Sequence, residues 1–251
     1  LVEEGFLIAR ERSGFFVNPE ILTGRAKAAP AAAPEGAESI GPIDGAPDWK
    51  ARFKQRPGLQ RNIVKPSDWQ SHPYPFIYGQ VDQSLFPLAA WRECSRQALS
   101  VNAVRDWSKD HFTDDDPLLI EQIRTRLLPR RAVRVSADEI LVTVGAQHAL
   151  YLVASLLFDQ GTVFGIEDPG YTDARNIAAM FAGEQVPLKV DEHGLVADSK
   201  LAGCDYVHVT PSHQFPTTVT MSMERRQALL ERAQADDFVM IEDDYESEIA
   251  H

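Results

Sequence analysis

The sequence predicts an α/β protein: a mostly parallel sheet with helices on both faces, preceded by a small hairpin and a linker. Three observations lead there. From residue 140 onward, short apolar runs of strand length alternate with apolar or amphipathic stretches of helix length. Each apolar run ends in a small or polar motif, as strands do where an open α/β sheet presents its carboxyl edge. Residues 26–48 are rich in Ala, Pro and Gly and lack apolar periodicity, so they separate the N-terminal hairpin from the larger part of the chain.

With 251 residues, 44% hydrophobic and 25% charged, the chain can bury one sizeable core and carry one small appendage. No apolar run approaches the roughly 20 residues of a membrane span, and Leu1-Val-Glu-Glu-Gly5 lacks the regions of a signal peptide. The expected location is cytoplasmic, with no membrane partner. A net charge of −12 excludes a chain that is mainly a nucleic-acid binder but leaves room for a small DNA-binding appendage. Cys94 and Cys204 have neither metal nor disulfide spacing and are expected to be small buried hydrophobes.

Leu1 to Val17 read as a helix end closed at Gly5, then two short apolar strands around a charged, Gly-containing turn. A lone hairpin is marginally stable, so Leu1 reads as the middle of a domain rather than its start. The linker, taken as 20–68, is semi-extended and at about 3.1 Å per residue spans tens of ångströms. The globular part begins at about residue 69. Ile140–Val144 is expected as a strand, Gln147–Phe158 as a mostly apolar helix and Thr162–Ile166 as the next strand. Asp173–Phe181 comes next as a helix, Tyr206–Thr210 as a third strand, Ser222–Ala235 as an amphipathic helix capped by Ser222, and Phe238–Ile241 as a fourth strand.

The motifs at the strand ends carry the chemistry. Gly145-Ala146-Gln147 turns from strand to helix with small residues, so the first helical N–H groups can bind a phosphate; an ordinary βα turn reads the same way. Glu167-Asp-Pro-Gly-Tyr171 presents Tyr171 at the sheet edge, either for stacking on a flat ring or as a plain core or surface tyrosine. His213, in the proline-bracketed loop Pro211–Thr218, is a candidate ligand contact or a structural hydrogen-bonder. The last strand runs into Glu242-Asp-Asp-Tyr-Glu-Ser247. There Asp243 can hold a pyridine nitrogen protonated, and Tyr245, two residues on and so on the same side, can reach a neighbouring ring oxygen. The ligand this suggests is pyridoxal phosphate. Asp243 and Asp244 also admit reading as an acidic pair for a metal, but no ligand-spaced cluster accompanies them and no metal is expected.

These segments resemble a family. Glu4-Gly-Phe-Leu7 with Gly14-Phe-Phe-Val17, Leu85-Phe-Pro-Leu-Ala-Ala-Trp91, Val144-Gly-Ala-Gln147, Glu167–Tyr171, Thr210-Pro-Ser-His-Gln-Phe-Pro-Thr217 and Ile241-Glu-Asp-Asp-Tyr-Glu-Ser-Glu248 are similar to the MocR/GabR-like regulators. In these a GntR-type winged helix-turn-helix is joined by a linker to a domain of the class I/II aminotransferase fold, pyridoxal-phosphate-dependent fold type I. The resemblance covers nearly the whole chain. Its most specific parts are Pro-Ser-His-Gln-Phe-Pro and Glu-Asp-Asp-Tyr.

The resemblance implies that residues 1–19 are the wing of the DNA-binding domain and 69–251 the N-terminal part of the aminotransferase-like domain. It implies that Asp243 pairs with the pyridinium nitrogen, Tyr245 bonds the phenolic oxygen, Tyr171 stacks on the ring, and Gly145, Ala146 and Gln147 hold the phosphate. Arg10 and Arg12, at the wing turn, would lie near the DNA backbone, or are two solvated charges. Implied partners are DNA, a small amine or amino-acid effector and a second copy in a homodimer. Three departures stand out. Thr218 takes a position usually Gly, and Asp114–Ile120 lacks the usual Gly and Leu-Arg pattern. The Schiff-base lysine of this fold, C-terminal to the Asp-x-Tyr strand, is not among these residues, and no lysine comes after Lys200. The expected function is a pyridoxal-phosphate-responsive transcription regulator. A plain aminotransferase explains the strand-end motifs equally well but leaves the hairpin and linker unexplained. A third expectation is a scaffold or degenerate fragment, with apolar surface exposed by half a sheet domain.

Overall fold

The computed structural model describes residues 7–10, 14–19, 47–55, 57–75, 81–110 and 113–245. The chain divides into two compact units, Leu1–Lys54 and Gln55–His251.

In the first unit, β1 (Leu7–Arg10) and β2 (Gly14–Val17) form the expected antiparallel hairpin, with Leu7 opposite Val17 and Arg10 opposite Gly14. The helix end at Gly5 and the turn residues 11–13 lie outside the described residues, as does 20–46 of the expected linker. A single helical turn, Trp49–Arg52, starts where the Asp48 carboxylate accepts the N–H groups of Lys50 (3.0 Å) and Ala51 (3.2 Å).

The second unit carries α1 (Leu88–Ala98), α2 (Val101–Trp107), α3 (Pro117–Gln122) and α4 (Ala146–Leu157) ahead of its sheet. Then come β3 (Val163–Asp168), α5 (Thr172–Phe181), β4 (Glu184–Asp191), β5 (Gly194–Leu195), β6 (Tyr206–Val209), α6 (Met223–Asp236) and β7 (Val239–Glu242). The strand order is β5-β4-β3-β6-β7, parallel throughout except for β5. Gln55 and Arg61, from the segment taken as linker, hydrogen-bond to Met180 and Asn176 of α5.

Period-two alternation sends the strand residues to two cores. Leu188, Val207, Val209 and Met240 pack with Leu229 and Ala233 of α6 on one face. Phe164, Ile166, Tyr206 and Ile241 pack with Leu150 of α4 and Ala174 and Ala178 of α5 on the other. The β3–α5–β4 connection moves one way along the sheet and β6–α6–β7 the other. Crossovers of one hand running in opposite directions place their helices on opposite faces, as α5 and α6 are placed. Gly165 lets the first face close: a Cβ there would stand 2.8 Å from Leu188 Cδ1 and 2.9 Å from Cys204 Sγ.

Two expectations need correction. Ile140–Val144 is not a strand. Its N–H groups turn to side chains instead, Val142 to Asp115 (2.7 Å) and Val144 to His148 Nδ1 (3.2 Å), and Leu141 and Val144 are 70% and 90% exposed. An apolar β-branched run becomes a strand only beside another, and among the described residues none lies alongside it. Cys94 is exposed rather than buried, because α1 buries none of its residues, whereas Cys204 is buried under Gly165 as expected.

Candidate functional site

The sheet has a topological switch point. After β3 the chain goes first to β4 on one side and then to β6 on the other, so the carboxyl ends of β3 and β6 flank the switch point at which open α/β sheets place their ligand crevice. The motifs anticipated at strand ends gather around that edge.

At the end of β7, Asp243 is fixed by one further ladder bond, its N–H donating to Val209 O at 2.9 Å. Alternation then sends the two acids to different partners. Asp243 lies on the side of His208, with Oδ2 3.5 Å from His208 Nε2, and Asp244 pairs with Arg131 at 2.8 Å. Among the described residues no group of three His, Cys, Asp or Glu side chains gathers for a metal. Tyr245 donates its hydroxyl to His213 O at 2.9 Å and meets the His213 ring edge-on, centroids 5.9 Å apart. His213 is thus joined to the last strand through its backbone and its ring.

Tyr171 enters α5 from the loop after β3. Its ring meets Phe215 edge-on at 6.0 Å, and its hydroxyl accepts a bond from Gln147 Nε2 at 3.2 Å. Burial pushes the Tyr171 phenol above its ordinary pKa; the Gln147 bond opposes this, and the negative charges of Asp173 and Asp243 add to it. Gly145 precedes α4 with φ +87°, a left-handed conformation that favours glycine and leaves open space where a Cβ would stand. Ala146 and Gln147 are the first residues of that twelve-residue helix, and the Gln147 side chain also reaches Asp173 Oδ2 at 2.5 Å. Arg10 ends β1, and Arg12 lies outside the described residues.

Sequence reasoning passed over the groups that hold these in place. Glu167, wholly buried at the end of β3, accepts bonds from Thr210 N (3.2 Å), Thr210 Oγ1 (2.5 Å) and Gln214 Nε2 (3.1 Å). Gln214 donates onward to Pro169 O (2.8 Å) and Phe215 O (2.7 Å) and accepts from Thr217 N–H and hydroxyl. This network ties the loop after β3 to the loop after β6, each of which contains a cis peptide bond, Asp168–Pro169 and Phe215–Pro216. A Glu closing an apolar strand and a Gln between two prolines were the signals available. His208 gave no signal beyond its place in a strand.

The residues fit a flat, anionic pyridine ligand: a carboxylate at a strand end, an aromatic ring partly buried beside it, and a helix start with open space at Gly145. No family model matches the sequence. Individual relatives do: HTH-type transcriptional regulator TauR of Rhodobacter capsulatus is 40% identical over 252 residues, all of this chain and 50% of that protein. Over its whole length this chain is a relative of the MocR-type transcriptional regulators. Probable rhizopine catabolism regulatory protein MocR of Rhizobium meliloti is 30% identical over 253 residues, covering 99% of this chain and 47% of that one. The chain thus spans about half the length of the curated relatives it matches. Among solved structures, an archaeal alanine:glyoxylate aminotransferase superposes with TM-score 0.57 at 30% identity, over 64% of this chain and 42% of that one. The kynurenine aminotransferase of Pyrococcus horikoshii gives 0.59 at 22% identity, over 78% and 52%, a likeness of fold. The fold is that of the pyridoxal-phosphate-dependent aminotransferases, fold type I, as expected from the sequence.

Proposed function

We propose that this chain supplies the linker and part of the effector domain of a cytoplasmic, DNA-binding transcription regulator that responds to pyridoxal phosphate and a small amine or amino acid. The observation that carries the reading is that the carboxyl edge of the sheet holds both Asp243, bonded to Val209 O at the end of β7, and Tyr171, bonded to Gln147 at the α4 start, in a chain 40% identical to the regulator TauR. Bound pyridoxal phosphate supplies an electrophilic carbonyl that condenses reversibly with primary amines. The chain's own residues bind and orient it. Asp243 keeps the ring nitrogen protonated and Tyr171 covers the ring. The N–H groups of Ala146 and Gln147, with Gly145, take the phosphate at the positive end of α4. The Tyr245 hydroxyl, which donates to His213 O, would be the group that bonds the ring oxygen.

Residues 1–19 act as the wing of the DNA-binding domain, with Arg10 and Arg12 near phosphates, and 20–68 as the linker to the domain 69–251. The working form is a homodimer. An amine that binds one conformation of the effector domain more tightly than another shifts the equilibrium between them, and with it the placement of the DNA-binding domains. The plain aminotransferase reading accounts for the same site residues but not for the hairpin β1–β2 and the linker ahead of it. The test is binding of the intact protein to its own promoter, by fluorescence anisotropy, with pyridoxal phosphate and amine present or absent. A changed affinity or footprint is expected; identical binding in all conditions, together with turnover of amino donor and keto acid, would make it an enzyme.

A further inference from the structure

His208 is wholly buried, yet neither ring nitrogen has a hydrogen-bond partner among the described residues. Its place in the sheet explains the isolation. It stands between Ile166 of β3 and Ile241 of β7 in register, on the apolar face covered by α4 and α5. A buried imidazole without partners carries the desolvation cost of its unsatisfied polar groups, and an isoleucine or valine would fill this row without that cost. Asp243 lies within reach, two residues after Ile241 and on the same face, with Oδ2 3.5 Å from His208 Nε2 and its side chain 13% exposed.

We propose that His208 is the positioning residue for Asp243, donating Nε2–H to Oδ2 and leaving Oδ1 to face the ligand. The inference rests on the cofactor reading above. The bond to Val209 O holds Asp243 at its backbone, which leaves rotation about the side-chain bonds to be set by the partners of the carboxylate. A donor from inside the sheet fixes that rotation and stabilises the negative charge, as partners behind a ligating group do at other sites. At 3.5 Å the two atoms stand at the outer limit of hydrogen-bond distance, and a small rotation of the Asp243 carboxylate brings Oδ2 onto Nε2–H. His208 touches no ligand itself. It acts through Asp243.

The test uses the intact protein and two variants, His208→Leu, which suits the apolar row, and His208→Gln, whose amide restores a donor near Nε2. Circular dichroism and thermal melts establish that both fold. The first readout needs no cofactor: ¹⁵N–¹H NMR of the imidazole, assigned by its loss in the variants, shows whether Nε2 carries a proton. A proton on Nε2 supports the proposal, and a bare Nε2 overturns it. The second is affinity for pyridoxal phosphate by absorbance titration. Binding weaker by about ten-fold or more in His208→Leu, recovered to within about three-fold in His208→Gln, is expected from the usual cost of losing an orienting partner. Wild-type affinity in His208→Leu would overturn the proposal. If the wild type binds no pyridoxal phosphate, the cofactor reading fails, while the protonation of Nε2 still judges the His208–Asp243 bond.

Discussion

Gln214→Ala is predicted to loosen the crevice more than its loop position implies. The Gln214 amide is 1% exposed and bonds to five groups: Glu167 Oε2, Pro169 O and Phe215 O through Nε2, and Thr217 N–H and hydroxyl through Oε1. Nε2 has two hydrogens for three acceptors, so one is shared, and four net bonds are lost on truncation. A bond to a buried carboxylate contributes about 1.5–3 kcal/mol and a neutral one about 0.5–1.5, which after partial rewetting sums to about 3–5 kcal/mol. Against a total of about 5–15 kcal/mol for a domain, this is a large fraction. With a urea slope of about 1–3 kcal/mol per molar, the midpoint falls by roughly 1–5 M. Gln147→Ala, whose side chain bonds only at the exposed edge, is the control and should cost under about 1 kcal/mol. Urea melts monitored by circular dichroism read both variants. A loss below about 1 kcal/mol for Gln214→Ala would refute the reasoning, because it would mean that the two loops hold together without the amide.

Gly165→Ala places a methyl 2.8 Å from Leu188 Cδ1 and 2.9 Å from Cys204 Sγ, and the same melts should show about 1–3 kcal/mol of destabilisation from overpacking. Thr218 has φ +64°, and Thr218→Gly should raise stability by up to about 1 kcal/mol, with an unchanged or lower midpoint counting against the left-handed turn. The Arg225 guanidinium, 3.0 Å away, holds the Asp191 carboxyl below its ordinary pKa, helped by the His193 N–H. A depressed folded-state pKa stabilises above the unfolded value of about 3.9 and stops doing so as pH falls through the folded one. Melts at several pH values should therefore show Asp191→Asn less stable than wild type at neutral pH, the gap closing in acid; a gap independent of pH would contradict the pairing.

The sheet from β3 onward was legible because β3 and β6 are buried on two faces and, like the edge strand β7, read as short apolar runs bounded by turns. The helices between them carry clear stripes and, in α6, a Ser222 cap that accepts the Arg225 N–H as expected. β4 escaped notice because Pro187 interrupts it and charges alternate along it. The proline is tolerated where β4 has a neighbour on one side only, since β5 pairs with no residue before Val190. Ile140–Val144 failed in the opposite sense: its side chains specify a strand, but the ladder depends on a partner that local sequence does not report. Asp243 and Tyr171, proposed to face the ligand, drew notice by their chemistry after apolar runs that are strands, and Gly145 by its place before a helix. Glu167, Gln214 and His208 were not, because their roles arise from register between β3, β6 and β7 rather than from spacing along the chain.

The most direct test of the account is titration of the intact protein with pyridoxal phosphate, monitored by absorbance, alongside Asp243→Asn, which keeps the shape of the side chain and removes its charge. Saturable binding by the wild type, at least about ten-fold weaker in the variant, is predicted, since a neutral amide no longer favours the protonated ring nitrogen. Equal binding by the two proteins would show that the end of β7 is not where the ring lies, and absence of binding by either would contradict the assignment of this crevice to pyridoxal phosphate.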